Sequence, residues 1–386
     1  MVLQQLMTPT ATMRPASSSF PGVLAMEGGG VYAGRVEGAS VEAQGELIFT
    51  TAAAGWGEIV TDPSYAGQIV VLTHPMVGNY RIAESELESA RVRGRGIVVS
   101  RLVEPAPGRG RSLRELLEEA GVPAFSGIDT RALTLEIRRG AARRSVIRPA
   151  ADSEQARADA IAAALASPAW DAVDHVADVS PRAAYVVPAD APRRGRAALL
   201  DMGVKRSLVS ALTARGLEMV AFPHDATADE ILAARPDVVV LSPGPGDPAR
   251  MHPQIETVRR LAAAATSDGP PVLGICLGHQ LLALAAGAHT RRLAVGHHGG
   301  NHAVREEATG RVDIGAHNHE VTVVDDAALE ASGYRVTHRD LNDGSVEGLA
   351  HDSGRIASVQ FHPEGAPGPT DASRVFDLAL GASAQP

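Results

Sequence analysis

The 386-residue chain contains a single cysteine. That excludes an internal disulfide framework and fits a reducing compartment, so a cytoplasmic location is expected. No apolar run approaches the roughly 18 residues needed to cross a bilayer, so no membrane contact is expected. An excess of positive charge is also missing. The formal net charge is −9, which argues against non-specific nucleic-acid binding. The first 25 residues are rich in Ser, Thr and Pro, carry Arg14 as their only basic residue and lack an apolar core. They read neither as a secretory signal nor as a transit peptide. A disordered tail is expected over 1–25, with the ordered pattern starting at Met26-Glu27. Hydrophobic residues make up 45% and charged residues 21%, so the chain reads as a globular protein with a large core and two or three domains.

The one sulfur stands in Gly274-Ile275-Cys276-Leu277-Gly278-His279-Gln280. An apolar run, Pro271-Val272-Leu273, precedes it, and a helix-like run over 281–286 follows. Gly-x-Cys-x-Gly between a strand and a helix has the form of a nucleophile elbow. The small residues allow a sharp turn, and the helix start stabilises negative charge on the sulfur. A small buried hydrophobe is the bland alternative, but such a cysteine does not need both flanking glycines.

A thiol nucleophile needs a base, and the base needs an orienting group. Ser358-Val359-Gln360-Phe361-His362-Pro363-Glu364 supplies both. Residues two apart on an extended segment point the same way, so His362 and Glu364 can face one site. His362 is the candidate base and Glu364 its orienter. Acyl chemistry also needs an oxyanion hole. The strand-like run 237–241 enters Ser242-Pro243-Gly244-Pro245-Gly246-Asp247-Pro248, a rigid loop whose backbone can approach a ligand closely. The Leu277 and Gly244 N–H groups are the expected donors. No Gly-Lys-Ser/Thr follows, so this is not a phosphate-binding P-loop.

Residues 26–150 read as a mixed α/β N-terminal domain. Strands are expected at 41–51 and 68–73, a helix at 113–120, and a second helix capped by Asp129 or Thr130 and running through Arg138. Arg138, Arg139, Arg143, Arg144 and Arg148 form a basic run, open to reading as a solvated face or a docking surface. Residues 151–195 read as a helix over 156–166 followed by a linker over 180–194. From 196 to 386, strands and helices alternate, which implies a doubly wound, mainly parallel sheet with ligands at its C-terminal strand ends. Histidines 297, 298, 302, 317 and 319 invite a metal reading. They lack nearby cysteine and a clear carboxylate pattern, so loop hydrogen bonding and pocket lining are expected instead, with no metal.

The elbow, the Pro-Gly loop and the His-Pro-Glu resemble class I glutamine amidotransferase domains. Three further stretches narrow the resemblance. They are Gly296-His297-His298-Gly299-Gly300-Asn301-His302, Thr61-Asp62-Pro63-Ser64-Tyr65-Ala66-Gly67-Gln68-Ile69-Val70 and Gly127-Ile128-Asp129-Thr130-Arg131-Ala132-Leu133-Thr134. Together they resemble the small, glutamine-hydrolysing subunit of carbamoyl-phosphate synthetase, from about residue 27 to about residue 380. The resemblance implies that Cys276, His362 and Glu364 hydrolyse L-glutamine through a thioester. It implies glutamine contacts at Gly244, Gly246, Leu277, Gln280 and Asn318. It also implies a large-subunit partner that takes the ammonia and uses MgATP and bicarbonate, with no cofactor on this chain. The product would serve arginine or pyrimidine synthesis.

Three departures stand out. Ala52 replaces a usual serine whose hydroxyl helps hold glutamine. Asn318-His319-Glu320-Val321 replaces Asn-His-Gly-Phe, which puts the Glu320 carboxylate and Val321 near the substrate, with Glu320 either meeting the α-ammonium or facing solvent. Trp56 stands where tyrosine is usual. A weaker glutamine affinity is expected, and a catalytically silent scaffold subunit is the competing reading.

Overall fold

A computed structural model describes residues 19–140 and 143–379. Most of the expected tail, 1–18, lies outside the described residues. Its last part does not: Phe20–Met26 is a strand, and Val23 to Met26 are buried. Order therefore begins before Met26, because this strand pairs on both sides, with Val31–Gly38 and with Arg144–Pro149.

Seven strands between residues 20 and 149 close into a barrel. Ala43–Thr50, Gln68–Leu72, Gly96–Val99 and Pro123–Ser126 run parallel to one another, and the other pairings are antiparallel. Each strand contributes a residue to one core: Leu24, Val36, Leu47, Ile69, Val98, Phe125 and Ile147 meet inside. The alternate residues Val70, Leu72, Ile97 and Val99 pack outward under Trp56, Ile59, Leu113 and Leu117. This is the period-two pattern of a sheet covered on both faces. The helix Leu113–Ala120 starts at a Ser112–Glu115 capping box, and Thr130–Arg138 starts at Asp129, whose side chain accepts from the Ala132 N–H.

The remaining strands form one ten-stranded sheet. Its parallel centre holds Leu217–Pro223, Gly195–Asp201, Val238–Leu241, Val272–Ile275 and Ile356–Val359, in that spatial order. Alternation along Gly195–Asp201 sends Ala198 and Leu200 to one face and Ala197 and Leu199 to the other. Helices Ala228–Ala233, His252–Thr266 and Leu277–Ala285 cover the first face; Arg206–Thr213 and Arg374–Ala379 cover the second. The doubly wound reading therefore describes the centre. Antiparallel strands extend it on both flanks, most of all the long pair Thr290–Glu306 and Val312–Val323.

Two expectations need correction. The linker over 180–194 contains Tyr185–Val187, an edge strand paired with Leu217–Pro223. The basic run is neither a plain solvated face nor free for docking as a whole. Arg144 pairs with Glu27, Arg148 with Glu42, and Arg143 with Glu46 and Glu320, because Arg144–Pro149 is a barrel strand.

Candidate active site

The strand Val272–Ile275 turns into the helix Leu277–Ala285 at Cys276. Cys276 has φ 52 and ψ −104, a backbone state that L residues rarely adopt. The flanking glycines make this turn possible. A Cβ on Gly278 would stand 2.4 Å from the Leu241 carbonyl oxygen, and one on Gly274 would stand 2.8 Å from the Gly278 backbone. The Cys276 N–H is fixed on the Val359 carbonyl at 2.8 Å. Its sulfur lies 3.9 Å from the Asn318 carbonyl oxygen and 3.5 Å from Gln360 Nε2.

His362 follows the neighbouring parallel strand, and its N–H donates to the Ala316 carbonyl at 2.8 Å. Its Nδ1 meets Glu364 Oε1 at 2.7 Å, with both side chains almost wholly buried. Burial opposes charge on His362. The Glu364 carboxylate and the adjacent Cys276 side chain outweigh it and raise the imidazole to about 10. The proton on the ring therefore persists through the neutral range. Burial likewise opposes ionisation of Glu364, but Lys205 and His362 hold it at about 2.

Leu277 N–H and Gly244 N–H have no acceptor among the described residues. The two residues adjoin each other: a Cβ on Gly244 would be 2.9 Å from Leu277 Cδ2. Gly246 has φ +100, which lets the Pro-Gly loop turn back over the site. A pocket opens at Cys276, with Gly244, Gly246, Gln280, Asn318, Glu320 and Val321 in its wall. Gln280 donates from Nε2 to the Val321 carbonyl at 2.8 Å and to Gln360 Oε1 at 3.0 Å, so its own carbonyl oxygen is left to accept.

Ala52 is placed elsewhere. It lines a smaller recess beside His362, Lys205 and Asn318. Glu320 does not face solvent, one of the two expectations held for it. It is buried, bonds His298 Nε2 at 2.8 Å and pairs with Arg143 and Arg292. Burial opposes its ionisation, and His298 and the arginines prevail and lower it. Glu46, facing it from the barrel, is raised to about 7 by burial and by the Glu320 charge.

Sequence reasoning missed several neighbours of the sulfur. Ser64, Gln68 and Trp170 enter the pocket wall from the first half of the chain. Trp170 is held by Nε1 donating to the Ala66 carbonyl at 2.9 Å. Lys205 lies 3.3 Å from Glu364. Ser64 and Gln68 belong to the 61–70 stretch that carried the resemblance, but nothing local assigns them, Trp170 or Lys205 to the site, since each depends on contacts between segments distant in sequence. Among the histidines, His298 and His319 line the pocket as expected, while His297, His317 and His319 gather around Glu347, a carboxylate the sequence did not connect to them.

Comparison with known proteins agrees with this geometry. Residues 24–147 match the family described as carbamoyl-phosphate synthase small chain, CPSase domain, and residues 198–382 match glutamine amidotransferase class-I. The carbamoyl phosphate synthase small chain of Listeria innocua is 41% identical, covering 92% of this chain and 94% of its own. The protein of the same name from Bacillus caldolyticus is 41% identical, covering 92% and 95%. The carbamoyl phosphate synthase pyrimidine-specific small chain of Halalkalibacterium halodurans is 40% identical, covering 92% and 94%. With both halves matched and the likeness running almost end to end, the chain belongs to the carbamoyl phosphate synthase small chain family.

Proposed function

We propose that this chain is the glutaminase subunit of a carbamoyl-phosphate synthetase. The observation that carries the reading is Cys276 at a left-handed strand–helix turn beside the His362–Glu364 pair. The Cys276 sulfur attacks the side-chain amide carbon of L-glutamine. The tetrahedral oxyanion is held by the N–H groups of Leu277 and Gly244. The C–N bond breaks, His362 gives its proton to the leaving nitrogen, and ammonia departs. Water, losing a proton to His362, then cleaves the γ-glutamyl thioester and yields glutamate and free enzyme.

Gln280 presents its carbonyl oxygen to the substrate ammonium, with Gly246, the Asn318 backbone and Val321 around it. Ammonia passes to a large subunit, which makes carbamoyl phosphate from bicarbonate and MgATP in the cytoplasm. That product serves arginine or pyrimidine synthesis. No helix among the described residues is long and apolar enough to cross a membrane.

The scaffold reading leaned on Ala52 and Glu320. Glu320 is engaged by His298 and Arg143, which takes its free carboxylate out of the substrate's way. The test is ammonia and glutamate release from glutamine by the purified chain, with and without its large subunit. Cysteine-dependent release that is lost in Cys276→Ser supports the reading. Equal release from wild type and variant, or none from either, rejects it.

A further inference from the structure

We propose that His297, His317, His319 and Glu347 form a closed structural site for one divalent cation of the zinc class. All four are buried, and one donor atom from each lies within 4.8 Å of the others. The strand Val312–Val323 builds half of the site by its period of two: His317 and His319 reach this cluster, His319 also bordering the pocket at Cys276, while Asn318 and Glu320 face that pocket. Thr290–Glu306 supplies His297, and Val346–His351 supplies Glu347.

The outward nitrogen of each ring already has an acceptor. His319 Nδ1 lies 2.9 Å from the Val321 carbonyl oxygen, His297 Nε2 lies 3.1 Å from Asp343 Oδ2, and His317 Nδ1 lies 3.3 Å from the Gly315 carbonyl oxygen. Acceptors at those positions let each N–H point outward, which would turn the lone pair of the other nitrogen inward. Two of those inward nitrogens, His297 Nδ1 and His319 Nε2, are buried with no hydrogen-bond partner. The third, His317 Nε2, faces Glu347 Oε2 at 2.9 Å. Three ring nitrogens and a buried carboxylate thus converge on one point, and a cation between them would engage all four groups at once.

The spacing also fits. Metal–ligand lengths of about 2.0–2.2 Å in a tetrahedron put ligand atoms roughly 3.3 Å apart. His297 Nδ1 and His319 Nε2 each stand 3.7 Å from Glu347 Oε1, and His317 Nε2 stands 2.9 Å from its Oε2. Three imidazoles and one carboxylate, with no thiolate and no open position, suit a zinc-class ion held for structure rather than for catalysis. Such an ion would tie together three strands, one of which carries the pocket wall on its other side.

The test is metal analysis of the full-length chain. About one equivalent of zinc per chain is expected as purified. After chelation, added Zn²⁺ should raise the melting temperature, and added Co²⁺ should give the visible absorption of a four-coordinate site. His317→Ala and Glu347→Gln should lose the metal and the Zn²⁺-dependent shift. Asp343→Asn should weaken binding by about 10- to 100-fold through the His297 ring. Should the ligand variants fail to fold, the Co²⁺ spectrum of the wild-type chain decides. A wild-type chain that takes up neither ion and melts identically with and without Zn²⁺ overturns the proposal. So does full metal retention in a folded His317→Ala chain.

Discussion

Lys205 Nζ stands 3.3 Å from Glu364 Oε1, the same oxygen that meets His362 Nδ1 at 2.7 Å. One carboxylate thus serves two cationic neighbours, and all three side chains are buried. Lys205 also donates to the Gly365 carbonyl at 2.7 Å, which fixes its position behind the catalytic pair. Burial alone would lower the lysine, but Glu364, Asp62 and Glu88 prevail and raise it, so it keeps its charge.

Lys205→Met keeps the length of the side chain and removes the charge. Breaking one side of a buried ion pair costs about 3 kcal/mol or more, because the other charge stays desolvated. Denaturant unfolding should show that loss. Steady-state kinetics should show kcat reduced by about tenfold or more, because the carboxylate holding His362 has lost its own anchor. An unchanged kcat in a folded variant would mean that Lys205 serves stability alone.

Glu364→Gln tests the pH behaviour. His362 is raised from 6.5 to about 10, so the folded chain holds this proton more tightly than the unfolded one. Its contribution to stability is full below about pH 6.5 and is lost as pH rises toward 10. The variant removes the principal group that raises the ring. Melting temperature should then fall less steeply between pH 7 and 10 than in wild type. The alkaline limb of the glutaminase rate should move to lower pH, and kcat should drop by about 10²- to 10⁴-fold through loss of ring orientation.

The proximity of Cys276, His362 and Glu364 was legible because its geometry is local. Gly274, Cys276 and Gly278 encode the turn, and His362 with Glu364 needs only the two-residue period of an extended segment. The alternation after residue 196 likewise gave the parallel centre of the large sheet. The barrel was less legible. Phe20–Met26, Gly96–Val99 and Pro123–Ser126 are short strands made stable by closure, and closure is a long-range property with little signature in any one strand. The partners of Glu320 were hidden for the same reason. Its partner Arg143 lies 177 residues earlier, in a run that looked like surface charge. The histidines were read without Glu347, which is brought to His317 only by the folding of separate strands.

Arg143→Met tests the bridge between barrel and sheet. Arg143 meets Glu46 at 3.3 Å and contacts Glu320 directly, with Arg292 completing the cluster. Its removal leaves two buried carboxylates with one arginine fewer, and a loss of about 3 kcal/mol is expected. Adding Glu320→Gln removes the repulsion that raises Glu46, so the double variant should recover part of that loss. A coupling energy of about 1–3 kcal/mol from the double-mutant cycle is expected, and additive losses would show that the three groups do not act together.

Ala52→Ser restores the hydroxyl usual in the family. Ala52 lines the recess beside His362 and Asn318, and its N–H already rests on Thr50 Oγ1 at 3.3 Å. A serine here can be accommodated without moving the backbone, since Ala52 is only half-buried. One added hydrogen bond to substrate is worth about 0.5–1.5 kcal/mol. The glutamine KM should therefore fall by roughly two- to tenfold with kcat little changed, the pattern of an interaction made equally in ground and transition states. Steady-state ammonia release by wild type and variant checks it. A KM unaltered by the substitution would mean that the recess does not reach the bound glutamine, and that the chain holds its substrate without any contribution from position 52.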